Sequence, residues 1–329
     1  MVTSKDVAKL AGVSRATVSN VLSGTKYVSP ELVKRVQDAV KKLNYRPHGI
    51  ARSLVEKKTY SIGVLVPRIA STFYPPIVSE IEEVFAEKGY SIILCNSHED
   101  CAREEVMLQV LSEKRVDGLI WVPCGEKNVA FVRSLNESGT PVVIVDRRVN
   151  TGLFDSVESD NYQAGVIAGK HLLALGWKKP LVLTFSLNIN TARDRVKGFK
   201  DIFKSHEIEI DHEYVISLST PEYEHAMEDI PELLKKLSFD SIFACSDLLT
   251  LAIVSTALRL GMNIGKDIGI LGFDDSPWGS NVVTPLTVIT QDTLGLGLNA
   301  ARLLERRLGT EGELEFERIS LPEIGRAHV

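Results

Sequence analysis

Residues 3–22 read TSKDVAKLAGVSRATVSNVL, and this stretch decides how the N-terminal end of the chain folds. Thr3, followed three residues later by Asp6, is a capping pair ahead of an apolar stretch. Val7, Ala8, Leu10 and Ala11 keep helical spacing. Gly12 ends the helix, because glycine reaches positive φ without a Cβ clash. Ser14 caps a second helix, Arg15 to Leu22, with Val18, Val21 and Leu22 turned inward. Two short helices joined by a tight glycine turn make a helix-turn-helix. A third helix is expected, with Ser29 as N-cap and Pro30 at its first position. Leu32, Val33, Val36, Val40 and Leu43 then share one face.

The charge distribution fits either a polyanion partner for this end or a solvated basic arm, and the helical patterning favours the partner. The 329-residue chain has a net charge of −5. Residues 1–58 carry 12 Lys/Arg against 4 Asp/Glu, a net of +8, and the rest carry 26 against 39, a net of −13. A basic head on an acidic body is the asymmetry of a protein whose one end meets a polyanion. In a helix-turn-helix the N-terminal part of the second helix enters the major groove. That surface offers Arg15, Ala16, Thr17, Ser19 and Asn20. Arginine can bond guanine O6 and N7 together, asparagine adenine N6 and N7, and Ala16 can touch a thymine methyl.

These motifs resemble the headpiece of the LacI/GalR family of bacterial transcription regulators. The resemblance runs through Lys5 to Ser14, Ala16-Thr17-Val18-Ser19, Tyr27-Val28-Ser29, Asn44-Tyr45-Arg46-Pro47 and Ala51-Arg52-Ser53-Leu54. It implies a headpiece over 1–47 and a hinge helix over 48–59 that orders on DNA. It also implies that Leu54 is a wedge in the minor groove, with Ala51 and Arg52 beside it. An apolar wedge of this kind unstacks a base step and kinks the duplex. The DNA-contacting set is then Thr3, Ser14, Arg15, Ala16, Thr17, Ser19, Asn20, Tyr27, Val28, Ala51, Arg52 and Leu54.

From Ser61 onward, short apolar strands alternate with amphipathic helices in two series, the first through Val145 and the second through Gly272. This pattern argues for parallel sheets covered on both faces. The resemblance extends over the body and implies an α/β, type I periplasmic-binding-protein-like architecture of two Rossmann-like lobes. The N-lobe would hold about 60–160 and 291–311, and the C-lobe about 161–290 and 312–329. Ligands in open α/β sheets sit beyond the carboxyl ends of strands. Applied here, that rule selects loops that carry Phe73, Tyr74, Cys124, Arg147, Asp160, Arg195, Asp247, Asp274 and Trp278, and the resemblance implies effector contacts at Phe73, Arg195, Asp247 and Asp274, with Arg147, Asp160 and Trp278 as further candidates. Carboxylates and guanidiniums would bond sugar hydroxyls, and aromatic faces would stack on the ring. Arg68-Ile69-Ala70-Ser71 departs from the family's more usual Asp-Ile-Ser-Asn. Arg68, Arg147, Arg193 and Arg195 together suggest a cationic cleft suited to a sugar acid or sugar phosphate.

Other readings are weaker. Gly295 to Ala300 fits GxGxxA, but Gln291 to Leu294 intervenes after the strand, which argues against a dinucleotide site. His206 and His212 with nearby acids read as a solvated loop. No nucleophile–base pair, metal set or cofactor motif emerges, so no enzyme activity is expected. The four cysteines lie far apart and form no CxxC pair, which disfavours metal fingers and a disulfide framework. No apolar run reaches bilayer length, and the N-terminus lacks a secretory h-region. The expectation is a cytoplasmic homodimer that binds a pseudo-palindromic operator as a repressor under a sugar-type effector. The end at Arg318–Val329 lacks a leucine-heptad tail, which disfavours a coiled-coil tetramer. A transporter's solute-binding protein or a sugar-modifying enzyme of the same body fold is the alternative.

Overall fold

The computed structural model describes residues 2–23, 26–45, 58–218, 223–276, 286–310, 315–322 and 324–326. The chain divides into two units, Met1–Tyr60 and Ser61–Val329. The expected hinge residues Ala51, Arg52 and Leu54, and the effector candidate Trp278, lie outside the described residues.

The first unit is three helices: α1 (Ser4–Ala11), α2 (Arg15–Ser23) and α3 (Pro30–Lys42). Val7, Ala8, Ala11, Val18, Val36 and Ala39 form its core. Gly12 turns the chain at φ 64°, as a glycine C-cap should. Arg35 of α3 holds that turn, since its Nη2 donates to the carbonyl oxygens of Ala11 at 2.6 Å and Gly12 at 3.3 Å.

The second unit has two six-stranded sheets. The first contains β1 (Ser61–Val66), β2 (Ser91–Asn96), β3 (Gly118–Trp121), β4 (Val142–Val145), β5 (Asp155–Ser159) and β11 (Arg318–Leu321). Their spatial order is β2-β1-β3-β4-β5-β11, all parallel. The second contains β6 (Pro180–Thr184), β7 (Val215–Ser217), β8 (Ser241–Ala244), β9 (Gly269–Phe273), β10 (Thr287–Thr290) and β12 (Ile324–Arg326), in the order β7-β6-β8-β9-β10-β12. Only β12 runs antiparallel among the described pairings. Helices α4 (Tyr74–Ala86), α5 (Cys101–Lys114), α6 (Val129–Glu137) and α11 (Thr293–Gly309) belong with the first sheet. Helices α7 (Asn161–Ala174), α8 (Asn190–Ser205), α9 (Tyr223–Lys236) and α10 (Asp247–Arg259) belong with the second. Strands β1, β3 and β4 and strands β6, β8 and β9 are apolar and buried on both faces, as crossover helices require.

The order β2-β1-β3-β4-β5 places a topological switch between β1 and β3, and β7-β6-β8-β9-β10 repeats it. The chain passes between lobes after β5, after β10 and between β11 and β12. The last passage corrects the sequence expectation, which assigned 312–329 to the C-lobe. Arg318–Leu321 pairs in register with Ser156–Ser159 of the first sheet. The reason is charge. Strand β5 buries Asp155 and Glu158. Arg307 of α11 forks onto Asp155 at 2.7 and 2.9 Å, and Arg318 of β11 bonds Glu158. A buried carboxylate needs such a partner, so β11 is drawn to this sheet.

Two glycines set the closest helix approach. A Cβ on Gly198 of α8 would lie 2.0 Å from the Tyr162 carbonyl oxygen, and one on Gly165 of α7 would lie 2.0 Å from that of Arg195. Gly198→Ala therefore forces the α7–α8 pair apart. The expected cost is about 3 kcal/mol, at the upper end of ordinary overpacking. Urea unfolding measures it, and a variant as stable as the parent would mean the helices separate freely.

Candidate functional site

The carboxyl ends of both sheets open onto one cavity of about 450 Å³. Strand β1 leads into Arg68, Phe73 and Tyr74, β3 into Cys124, and β4 into Asp146 and Arg147. Strand β6 leads into Phe185 and the start of α8 with Arg195, β8 into Asp247, and β9 into Asp274. The cavity thus gathers Phe73, Tyr74, Cys124, Arg147, Arg195, Asp247 and Asp274 from the sequence-derived set.

Asp146 and Asp274 occupy equivalent places in the two lobes. Each follows the fourth strand of its series in a left-handed conformation, φ 68° and 61°. Each donates its backbone N–H at 2.8 Å to the neighbouring strand, to Val157 and Ile289 respectively. Aspartate tolerates this backbone region better than most residues. The result is two carboxyl groups turned out of the sheets, Asp146 buried and Asp274 half-buried. Asp146 accepts from the Tyr74 hydroxyl at 3.0 Å, and Asp274 accepts from Gln291 Nε2 at 2.9 Å. Burial pushes Asp274 up to about 7, with Arg195 opposing, and burial likewise raises Asp146 against Arg147 and Arg195.

Arg195 stands between them electrostatically. It is buried, donates Nε to Asn161 Oδ1 at 2.6 Å and Nη1 to the Cys245 carbonyl oxygen at 2.8 Å, and lies 3.6 Å over the Phe273 ring. Arg147 is equally fixed. It forks onto Glu99 at 2.7 and 2.8 Å and reaches the Pro123 carbonyl oxygen at 3.1 Å. Burial pulls Glu99 upward, but Arg147 outweighs it and holds the carboxyl below its ordinary range.

The expected cationic cluster does not form. Arg147 is neutralised by Glu99, and Arg193 lines an adjoining groove with Arg148 and Asn190 instead. The cavity lining carries Glu99, Asp146, Asp247 and Asp274 against Arg68, Arg147 and Arg195. Asp160 is also removed from the set. It caps α7, accepting from Gln163 N–H at 3.0 Å, and does not line the cavity.

The sequence reading missed Glu99 and Gln291. Glu99 lies past the end of β2, where the carboxyl-end rule applied to that strand would have found it. Gln291 follows β10, a strand bounded by Thr287 and Thr290 that apolar patterning does not reveal. Its Oε1 is buried and has no hydrogen-bond partner among the described residues. The GxGxxA match lies inside α11, whose N-cap Asp292 accepts from Gly295 N–H at 2.8 Å.

On the first unit, Arg15, Ala16 and Ser19 are exposed on α2, while Thr17 and Asn20 are half-buried. Ser14 Oγ accepts from Thr17 N–H at 3.0 Å, which fixes the start of α2. Asp6 accepts from Thr3 N–H and its hydroxyl at 2.9 and 2.7 Å. Tyr27 is 90% exposed, and Val28 is half-buried beside it.

Comparison with known proteins agrees with both units. Residues 3–48 match the family described as bacterial regulatory proteins, lacI family. Residues 59–303 match the periplasmic binding proteins and sugar binding domain of LacI family. The HTH-type transcriptional repressor PurR of Haemophilus influenzae (strain PittEE) is 34% identical over 329 residues, covering 98% of this chain and 97% of the relative. The structure of the lac repressor dimer bound to operator and the anti-inducer ONPF aligns with TM-score 0.84 at 25% identity, covering 98% of this chain and 97% of that one. The transcriptional regulator CelR–cellobiose complex aligns at 0.74 and 26% identity, covering 99% of each chain.

Proposed function

Because the chain belongs to the lacI family of bacterial regulatory proteins, we propose that it is a homodimeric repressor whose cleft binds a neutral, polyhydroxylated effector. Two copies of the headpiece would read the two half-sites of a pseudo-palindromic operator. The lac repressor and CelR supply the analogy, one as a dimer on operator with an anti-inducer and the other with cellobiose.

One observation carries the effector class. The cavity sets the carboxyl groups of Asp146 and Asp274, the Gln291 side chain that bonds Asp274 and the anchored Arg195 around about 450 Å³. Hydroxyl groups satisfy all of these at once, since each donates one hydrogen bond and accepts others. With the Glu99–Arg147 pair set aside, an added anion would meet three lining carboxyl groups, Asp146, Asp247 and Asp274, against two guanidiniums, Arg68 and Arg195. The cleft thiols favour binding over catalysis. Burial pushes Cys245 up to about 12 and raises Cys124 further, away from thiolate nucleophilicity. Among the described residues no helix is long and apolar enough to cross a membrane.

Effector binding would shift the lobes and change operator affinity, with release of DNA as the working sign. The test is fluorescence anisotropy of a labelled palindromic duplex with a central CG step. The protein is titrated in, then challenged with neutral sugars, sugar acids and sugar phosphates. A response confined to a neutral sugar supports the reading, and a response confined to the anionic compounds overturns the effector class. In the same assay, Arg15→Ala is expected to weaken operator binding by about 1–3 kcal/mol per half-site, the worth of one bidentate base pairing, and to relax sequence preference. Unchanged discrimination between operator and scrambled duplex would remove Arg15 from base reading.

A further inference from the structure

Asp247 opens α10 at the mouth of the cavity, where the sequence marks it as an effector contact. Its carboxylate is already occupied. Oδ2 accepts from the Thr72 hydroxyl at 2.7 Å, from Thr72 N–H at 3.0 Å and from the Ser71 hydroxyl at 3.3 Å. Oδ1 accepts from Leu248 N–H at 2.8 Å. Thr72 and Ser71 belong to the loop between β1 and α4 of the N-lobe, and Asp247 to the C-lobe. The Thr72 hydroxyl gives its single proton to Asp247. It therefore accepts from Ser276 Oγ, a buried C-lobe hydroxyl 3.1 Å away. Ser71 Oγ in turn accepts from Phe73 N–H at 3.1 Å, which ties the loop to the start of α4.

We propose that Ser71, Thr72, Asp247 and Ser276 form an interlobe latch that pins the two lobes together across the cleft, and that Thr72 is its positioning residue. Both lobes spend polar groups on each other here, and a cross-lobe ion pair, Arg148 with Asp194, joins the same two lobes. Asp247 is then no ligand for an effector that leaves the latch intact. A compound that engages Asp247 through Oδ2 must displace three donors first. The operator-coupling half of this proposal rests on the regulator reading above, whereas the latch does not.

Hydrogen–deuterium exchange of the full-length, ligand-free protein tests it. The Thr72 amide donates directly to Asp247, so the peptide over 70–74 reports the latch. Asp247→Ala is expected to speed exchange there about 10-fold, the scale of a hydrogen bond to a charged acceptor. Thr72→Val, which keeps the amide and loses the hydroxyl, is expected to speed it about 3-fold. Asp247→Asn, which retains an acceptor oxygen, stays near the parent. Strands β1 and β8 remain protected throughout. Parent-like exchange over 70–74 in both Asp247→Ala and Thr72→Val would overturn the latch. Should Asp247→Ala fail to fold, Thr72→Val decides alone, because Thr72 is an exposed side chain. Operator affinity of the same ligand-free variants is the second readout. A shift of at least 3-fold in one direction for both supports coupling, and faster exchange at unchanged operator affinity overturns the coupling while leaving the latch. A panel of sugars without any response would defeat the effector reading and leave the exchange result standing.

Discussion

Replacing Arg195 with alanine is expected to cost about 3–5 kcal/mol of stability at pH 8, and distinctly less at pH 5.5. The guanidinium holds five groups together. It satisfies Asn161 Oδ1 and the Cys245 carbonyl oxygen, covers the Phe273 ring at 3.6 Å, and faces the carboxyl groups of Asp146 and Asp274. Its removal leaves two buried acceptors without a donor and takes a cation from two desolvated carboxyl groups. The charge part of that loss exists only while the carboxyl groups are ionised. Asp274 lies near 7 with Arg195 present and rises further without it, so acidification relieves the variant more than the parent. Arg195→Lys keeps the charge and loses the planar fork, and it should recover only part of the difference. Urea denaturation at the two pH values checks this. An equal loss at both would mean that Arg195 acts through its hydrogen bonds and its packing on Phe273, and not through its charge. In the operator assay, both variants should bind DNA while requiring much more effector for the same response.

The route from sequence to this site was unequal in its parts. The headpiece was legible because its signals are local: a capping pair, a glycine at φ 64°, a serine N-cap and a proline at the first turn of α3. The central strands were legible because burial on both faces leaves an unbroken apolar run, as in Val142–Val145 and Ser241–Ala244. Strand β5 hid itself, since Asp155 and Glu158 read as solvent residues until Arg307, more than 150 positions away, supplies the charge that lets Asp155 be buried. No local pattern carries that information. The same holds for Asp160 and Asp247. Both sit at strand ends with the right chemistry, and only the placement of Gln163 N–H and of Thr72 assigns them to a helix cap and a cross-lobe contact. Arg193 and Arg195 differ by two positions on α8. That spacing turns one side chain into solvent and buries the other over Phe273, a distinction that awaits the helix phase.

Asp274→Asn is expected to stabilise the protein at alkaline pH and to weaken effector binding at the same time. In the folded chain burial lifts Asp274 from 3.8 to about 7. The folded state therefore holds this proton more tightly than the unfolded one. The associated stability is fully present below about pH 4 and is lost as pH rises through 7. Roughly three pH units correspond to about 4 kcal/mol, and relaxation of the site should reduce what is observed. Asparagine has the same shape, keeps an oxygen for Gln291 Nε2 and carries no charge to desolvate. The variant should thus match the parent near pH 4, exceed it by about 1 kcal/mol at pH 5 and by about 2–4 kcal/mol at pH 8. Asp146, whose carboxyl is also raised by burial, contributes a slope of the same sign to both proteins, and the difference between the two curves reports Asp274 together with its coupling to Asp146. Urea midpoints across pH 5–8 measure it, and parallel curves would show that Asp274 does not titrate in that range. The gain in stability is the measure of what the binding site gives up to keep an ionisable acceptor. An effector hydroxyl donates more strongly to a carboxylate than to an amide oxygen, so the stabilised variant should need at least about 10-fold more effector at pH 8, while operator binding without effector persists.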